Sequence, residues 1–158
     1  MTARVRLQRA QAFAAAASRP RVTKGALLDT GVLVALYARD DPAHAGVVSW
    51  MASFRDALHT VEPVLTEAAY FLPARMRSII ADLAASGRLT LHHPDPAGYA
   101  RMAALFRKYA DIDPDWADLA LVWLAESTGI ARIATLEVAD FSVYRIHGRK
   151  RFELELLR

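Results

Sequence analysis

The sequence predicts an α/β fold: a central parallel sheet of about five strands with helices on both faces. Three observations carry that expectation. From Gly25 onward, short apolar runs of strand length alternate with helical segments, the pattern of a parallel sheet covered by helices. The 158 residues amount to one domain's worth of chain, long enough to bury a core without covalent staples. Finally, 54% hydrophobic and 23% charged residues, with only 7 Gly and 7 Pro, exclude a disordered, collagen-like or repetitive chain.

The elements follow in order along the chain. Ala26-Leu27-Leu28 reads as a buried strand ending at Asp29, and Leu33 to Tyr37 as a helix. Asp40-Asp41-Pro42 breaks the chain before a second helix expected over His44 to Leu58. His59-Thr60-Val61 is the second strand, and Pro63 suits the first turn of a helix reaching Leu72, where a missing N–H loses no partner. Pro73 interrupts it, and Arg75 to Ser86 forms another helix closed by Gly87. Leu89-Thr90-Leu91 is the third strand, and Pro96 opens a helix to about Tyr109. Trp116 to Ser127 is the strongest helix, ended by Gly129. Arg132 to Thr135 is the fourth strand, and Phe152 to Leu156 alternates like an edge strand. No repeat, linker or second domain interrupts the pattern.

Charge divides the chain in two. Of 20 Lys and Arg, six fall in residues 1–24 (Arg4, Arg6, Arg9, Arg19, Arg21 and Lys24), which contain no acid. The remaining 14 face 17 Asp and Glu, so the body is net −3 although the whole chain is +3. Residues 1–24 are therefore expected to be a basic, frayed arm or the product of a start assigned too far upstream, with 25–158 the folded domain. The six-residue run Ala12 to Ala17 is weak for an export signal. No run approaches the 18 or so apolar residues of a membrane span, so a cytoplasmic protein is expected. With no cysteine there is neither a disulfide nor a thiolate metal site.

Chemistry is expected where the acids fall. Sites in open α/β sheets form beyond the carboxyl ends of the strands. Asp29 closes the first strand, and Glu67 lies one turn into the helix after the second. Asp118 lies in the first turn of the helix before the fourth strand, and Glu137 and Asp140 follow that strand. Right-handed crossovers bring such positions to one rim. Each acid alone has an ordinary structural reading. Asp29 suits a helix cap, Glu67 an exposed helix position, Asp115 and Asp118 a capping pair, and Glu137 with Asp140 a polar turn. Those readings do not explain why acids recur at strand ends whose neighbours are apolar. Two carboxylates about 4 Å apart repel by roughly 4 kcal/mol at an effective dielectric near 20. Several together require raised pKa values or a hard divalent cation. An all-carboxylate set suits Mg²⁺ or Mn²⁺. Zinc is disfavoured, because the five histidines (44, 59, 92, 93 and 147) show no ligand spacing. Phosphodiester hydrolysis is the natural class.

At these residues the sequence resembles the PIN-domain nucleases, and among them the VapC-type toxins of bacterial toxin–antitoxin pairs. The match spans Gly25 to Arg158 in four ordered blocks. Leu27-Leu28-Asp29-Thr30-Gly31 resembles the opening block, followed by Asp40-Asp41-Pro42-x-His44. Pro63-Val64-Leu65-Thr66-Glu67-Ala68 resembles the second and Asp115-Trp116-Ala117-Asp118 the third. Thr135-Leu136-Glu137, with Asp140-Phe141-Ser142-Val143-Tyr144-Arg145, resembles the fourth. Each block is weak alone; four in order are specific.

The resemblance implies a PIN-like fold and a Mg²⁺- or Mn²⁺-dependent endoribonuclease acting as a toxin. Asp29, Glu67 and Asp118 match the metal-site acids, and Glu137 or Asp140 completes the set. Glu137 stands where relatives commonly carry Asp. Asp115, Thr30, Thr66 and Thr135 match positions that support the acids. Leu119 replaces a commonly small residue and is expected to narrow the pocket. Arg145, Arg149, Lys150 and Arg151 form the clearest basic cluster of the body, either RNA-facing or an ordinary solvated turn. The implied partners are RNA, a small antitoxin and a second copy of the chain. Trp50, Met51, Phe54, Tyr70, Phe71 and Trp123 are the large apolar residues available for protein contacts, most of them expected in the core. A haloacid-dehalogenase-type phosphatase also carries Asp at its first strand end, but needs a second Asp where Gly31 stands. The other alternative is a catalytically idle PIN-like module that only binds RNA or protein.

Overall fold

The computed structural model describes residues 24–156. The arm expected over residues 1–24 thus lies, but for Lys24, outside the described residues. Five strands, β1 (Ala26–Leu28), β2 (Leu58–Val61), β3 (Leu89–His92), β4 (Arg132–Thr135) and β5 (Glu153–Leu156), form one parallel sheet in the order β3-β2-β1-β4-β5. Seven α-helices connect them: α1 (Thr30–Tyr37), α2 (His44–Ser53), α3 (Glu62–Phe71), α4 (Arg77–Ala85), α5 (Pro96–Lys108), α6 (Trp116–Thr128) and α7 (Val138–Val143). Every residue of β1 and β2 is buried. Because successive strand residues point to opposite faces, both faces of the sheet centre are covered.

The helix ends follow local chemistry. Asp29 caps α1 by accepting the Thr30 N–H, Asp95 caps α5 through the Gly98 N–H, and Asp115 caps α6 through the Ala117 N–H. Gly129 ends α6 at φ 80°, a left-handed conformation that glycine adopts without a Cβ penalty. Gly25 is required for a second reason. At φ 126°, a Cβ there would lie 2.5 Å from the Ala57 carbonyl oxygen, beside which the chain enters the sheet.

Several boundaries differ from the sequence expectation. Helix α1 begins at Thr30 rather than Leu33, because Asp29 caps it directly. The second helix ends at Ser53, and Leu58 begins β2, because Leu58 pairs in register with both Ala26 and Leu89. A 3₁₀ turn at Ala74–Met76 follows Pro73 before α4 begins. The segment after β4, read as a polar turn, is the short helix α7, whose Phe141 is buried. Leu119 also departs from expectation: it is fully buried in the core on α6 and does not narrow the acidic cavity. Among the described residues, no helix is long and apolar enough to cross a membrane.

Candidate active site

The sheet order changes direction at β1, with β2 and β3 to one side and β4 and β5 to the other. A crevice opens at such a switch point, beyond the carboxyl ends of the strands. Here it is a cavity of about 560 Å³ lined by Asp29, Asp41, Glu67, Asp115, Asp118, Glu137 and Asp140, together with Thr30, Gly31, Val34, Phe71 and Leu136. All five acids singled out at the strand ends reach this one cavity. Asp41 lines it as well; its presence was legible only as a break before α2.

Threonines set the positions of the first two acids. Thr30 donates its backbone N–H to Asp29 Oδ1 at 2.7 Å and its hydroxyl to Glu67 Oε2 at 2.6 Å. One residue at the start of α1 thereby ties the end of β1 to helix α3. From β4, the Thr135 hydroxyl donates to Asp29 Oδ2 at 2.7 Å and accepts the Glu137 N–H at 2.9 Å. Both oxygens of the buried Asp29 are thus held. Thr66 behaves differently: it lies on the exposed side of α3, and its hydroxyl donates to the Glu62 carbonyl one turn back.

Asp118 sits in the first turn of α6, behind the Asp115 cap. Its Oδ2 accepts a 3.1 Å hydrogen bond from the hydroxyl of Tyr144, which is almost wholly buried. Tyr144 follows α7, and its part in the site was not foreseen from sequence, although it stands within the fourth block. Its ring packs edge-on against Tyr109 and Phe141, which fixes the hydroxyl's direction.

Burial, with crowding added, raises the pKa values of Asp29 and Asp118. Burial, followed by the charges of Glu67 and Glu137, lifts Asp29 to about 6 despite the Thr135 and Thr30 hydrogen bonds. Burial and the charges of Asp29, Asp115 and Asp140 lift Asp118 to about 7, against the Tyr144 hydrogen bond. Among the described residues, no Lys, Arg or His lines the cavity to offset this charge. The donor set fits a hard divalent cation: it is all oxygen, crowded, and without a protein counter-charge. Among the described residues, no three of these carboxylates are already gathered into a coordination shell.

The basic cluster lies elsewhere. The Glu153 N–H donates to Ala131 O, so β5 begins beside the beginning of β4. Arg149, Lys150 and Arg151 precede β5 and therefore sit at the amino edge of the sheet, a strand length from the acids. Lys150 pairs with Glu153 at 3.2 Å. The Arg145 guanidinium donates to the carbonyls of Ser142, Val143 and Tyr144 at the end of α7.

A five-stranded parallel sheet with carboxylates converging at its switch point is the architecture of the PIN domain. The chain belongs to that family, whose model matches residues 26–144. Within the family it is of the VapC toxin type. Ribonuclease VapC26 of Mycobacterium tuberculosis is 32% identical over 131 residues, covering 80% of this chain and 96% of the relative. The crystal structure of VapC20, a sarcin–ricin-loop-cleaving toxin of the same organism, shares the fold with a TM-score of 0.65. That match has 18% identity and covers 69% of this chain and 87% of VapC20.

Proposed function

We propose that the protein is a Mg²⁺- or Mn²⁺-dependent endoribonuclease, the toxin of a toxin–antitoxin pair working in the cytoplasm. The observation that carries this reading is the cavity at the switch point, where seven carboxylates meet with no basic lining residue among the described ones. Asp29, Asp118 and Glu67 would hold the ion, and Glu137 or Asp140 would complete the set. A bound ion of this kind supplies Lewis acidity toward a phosphodiester oxygen and makes water a stronger acid. The chain's own residues do the rest. Thr30 and Thr135 keep Asp29 and Glu67 oriented, Tyr144 orients Asp118, and the uncovered carboxylates accept the proton of an attacking water. Negative charge along the cavity keeps phosphate out until a cation is present, which makes cleavage strictly metal-dependent. A small antitoxin and a second copy of the chain are the protein partners this reading implies.

The test is cleavage of a structured RNA by the purified chain with Mg²⁺, Mn²⁺ or chelator. Asp29→Asn and Asp118→Asn should each lower kcat at least about 100-fold. Of Glu137→Gln and Asp140→Asn, the one with the larger loss marks the fourth acid. Equal cleavage by wild type and both Asn variants would assign the activity to a contaminating nuclease and leave the idle binding module as the reading.

A further inference from the structure

A second groove opens beside the acids. It measures about 710 Å³ and is lined by Tyr70, Phe71, Tyr99 and Trp116, with Glu62, Thr66 and Pro63 along its rim. Glu67, Phe71 and Asp115 line both cavities, so the two are continuous. The four aromatic side chains are 79%, 61%, 51% and 53% exposed, and they are all the exposed aromatic residues among the described ones. They come from three places in the chain: the end of α3, the first turns of α5 and the start of α6. The exposed aliphatic residues Val48, Ile112, Val138 and Val143 do not line this groove.

Resting on the ribonuclease reading, we infer that this groove is a stacking subsite for unpaired nucleobases next to the cleaved phosphate. Flat π-faces gathered with no Val, Leu or Ile among the groove's lining residues suit bases, which stack on aromatic side chains whatever their identity. The rim charges point the same way. Glu62, Glu67 and Asp115 repel phosphate, and among the described residues no Lys or Arg lines the groove, so the uncharged part of a nucleotide is favoured inside. Two rings are already braced. Phe106 packs against Trp116 with centroids 5.3 Å apart, and Phe71 meets Tyr70 edge-on at 5.4 Å. An RNA strand with one phosphate at the acids can lay an adjacent base along this wall, whereas a base held in a duplex cannot leave its own stack. The subsite therefore selects single-stranded segments.

The test compares the full-length wild-type chain with Tyr70→Ala, Trp116→Ala, Tyr70→Phe and Trp116→Phe. Substrates are a single-stranded RNA oligonucleotide, the same oligonucleotide with abasic positions, and its blunt duplex. Each Ala variant should raise KM for the single strand roughly 5- to 150-fold, the range for losing one base–aromatic stack, with kcat much less affected. The Phe variants should stay close to wild type. In an Asp29→Asn chain, the single strand should quench tryptophan fluorescence more than the abasic strand does, and the additional Trp116→Phe change should remove that difference. Unchanged KM in both Ala variants would overturn the subsite while leaving the ribonuclease reading in place. Loss of activity that tracks dissociation in sedimentation would overturn it in favour of a self-association face. If wild type cleaves nothing yet Trp116 is quenched, the ribonuclease reading falls and the base site stands. If neither is seen, both fall.

Discussion

Tyr144 and Asp118, 26 residues apart in sequence, meet through a single 3.1 Å hydrogen bond at the wall of the acidic cavity. The tyrosine is buried, and the carboxylate gains a fixed orientation from it. Tyr144→Phe removes the donor and keeps the ring packing against Phe141 and Tyr109. Stability should fall by about 1.5–3 kcal/mol, the range for a hydrogen bond to a charged group. Affinity for Mn²⁺, measured by calorimetry, should drop several-fold. An unchanged affinity would show that Tyr144 serves packing alone.

The raised pKa of Asp118 predicts a pH-dependent effect of Asp118→Asn in metal-free protein. Its folded value of about 7 lies above the ordinary 3.8, so the folded state binds the proton more tightly than the unfolded one. Wild-type stability therefore declines as pH rises from about 4 to 7 and is flat above that range. The Asn variant does not pay this penalty. Its Tm should match wild type near pH 4 and exceed it by about 4 °C at pH 8, after allowance for solvent screening. Saturating Mg²⁺ should reverse the order, because only wild type keeps the full ligand set. Equal melting temperatures across pH would contradict the electrostatic account.

Metal binding should release protons in the same window. Near pH 6.5, with Asp118 at about 7 and Asp29 at about 6, a bound ion should displace about one proton in total. Above pH 8.5 both groups are already ionised and release should approach zero. Calorimetry in two buffers of different ionisation enthalpy measures this directly. Release that does not vary with pH would exclude these carboxylates as the ligands.

Stability away from the site rests partly on Arg101 and the buried Glu126. Arg101 Nε and Nη2 donate to the two carboxylate oxygens at 2.7 and 2.8 Å, and the His147 N–H adds a third bond at 2.8 Å. Burial pushes Glu126 upward, but these donors outweigh it and hold its pKa below the ordinary carboxylate value. Arg101→Ala should cost about 2 kcal/mol at pH 7 by leaving a buried carboxylate short of partners. The stabilisation is present above the ordinary carboxylate pKa and is lost as pH falls through the depressed folded value. The Tm gap between variant and wild type should therefore close in acid. A constant gap down to pH 2 would point to lost packing of the arginine stem instead.

Much of the fold was legible because its signals are local. The apolar triplet before Asp29, the Pro63 helix start, the Asp115 cap and the Gly129 stop depend on neighbours within a turn. Each was in place whatever the rest of the chain did. Helix α7 was not legible. Glu137 and Asp140 make the segment look like a polar turn, and only the burial of Phe141 and Tyr144 against the core reveals the helix. The position of the basic cluster was not legible for a related reason. Its composition announced a cationic surface, but not that parallel pairing of β5 with β4 starts at the edge opposite the acids.

The sequence by itself determined every element but α7, the parallel class of the sheet and the acids that belong to strand ends, since these follow from periodicity and capping over a few residues. Tertiary structure alone decided which side chains meet. Tyr144 reaches Asp118, Thr30 spans Asp29 and Glu67, and four aromatic rings from three helices line one groove. Such contacts join residues tens of positions apart, and their geometry is set by strand order and helix packing rather than by any local preference of the chain.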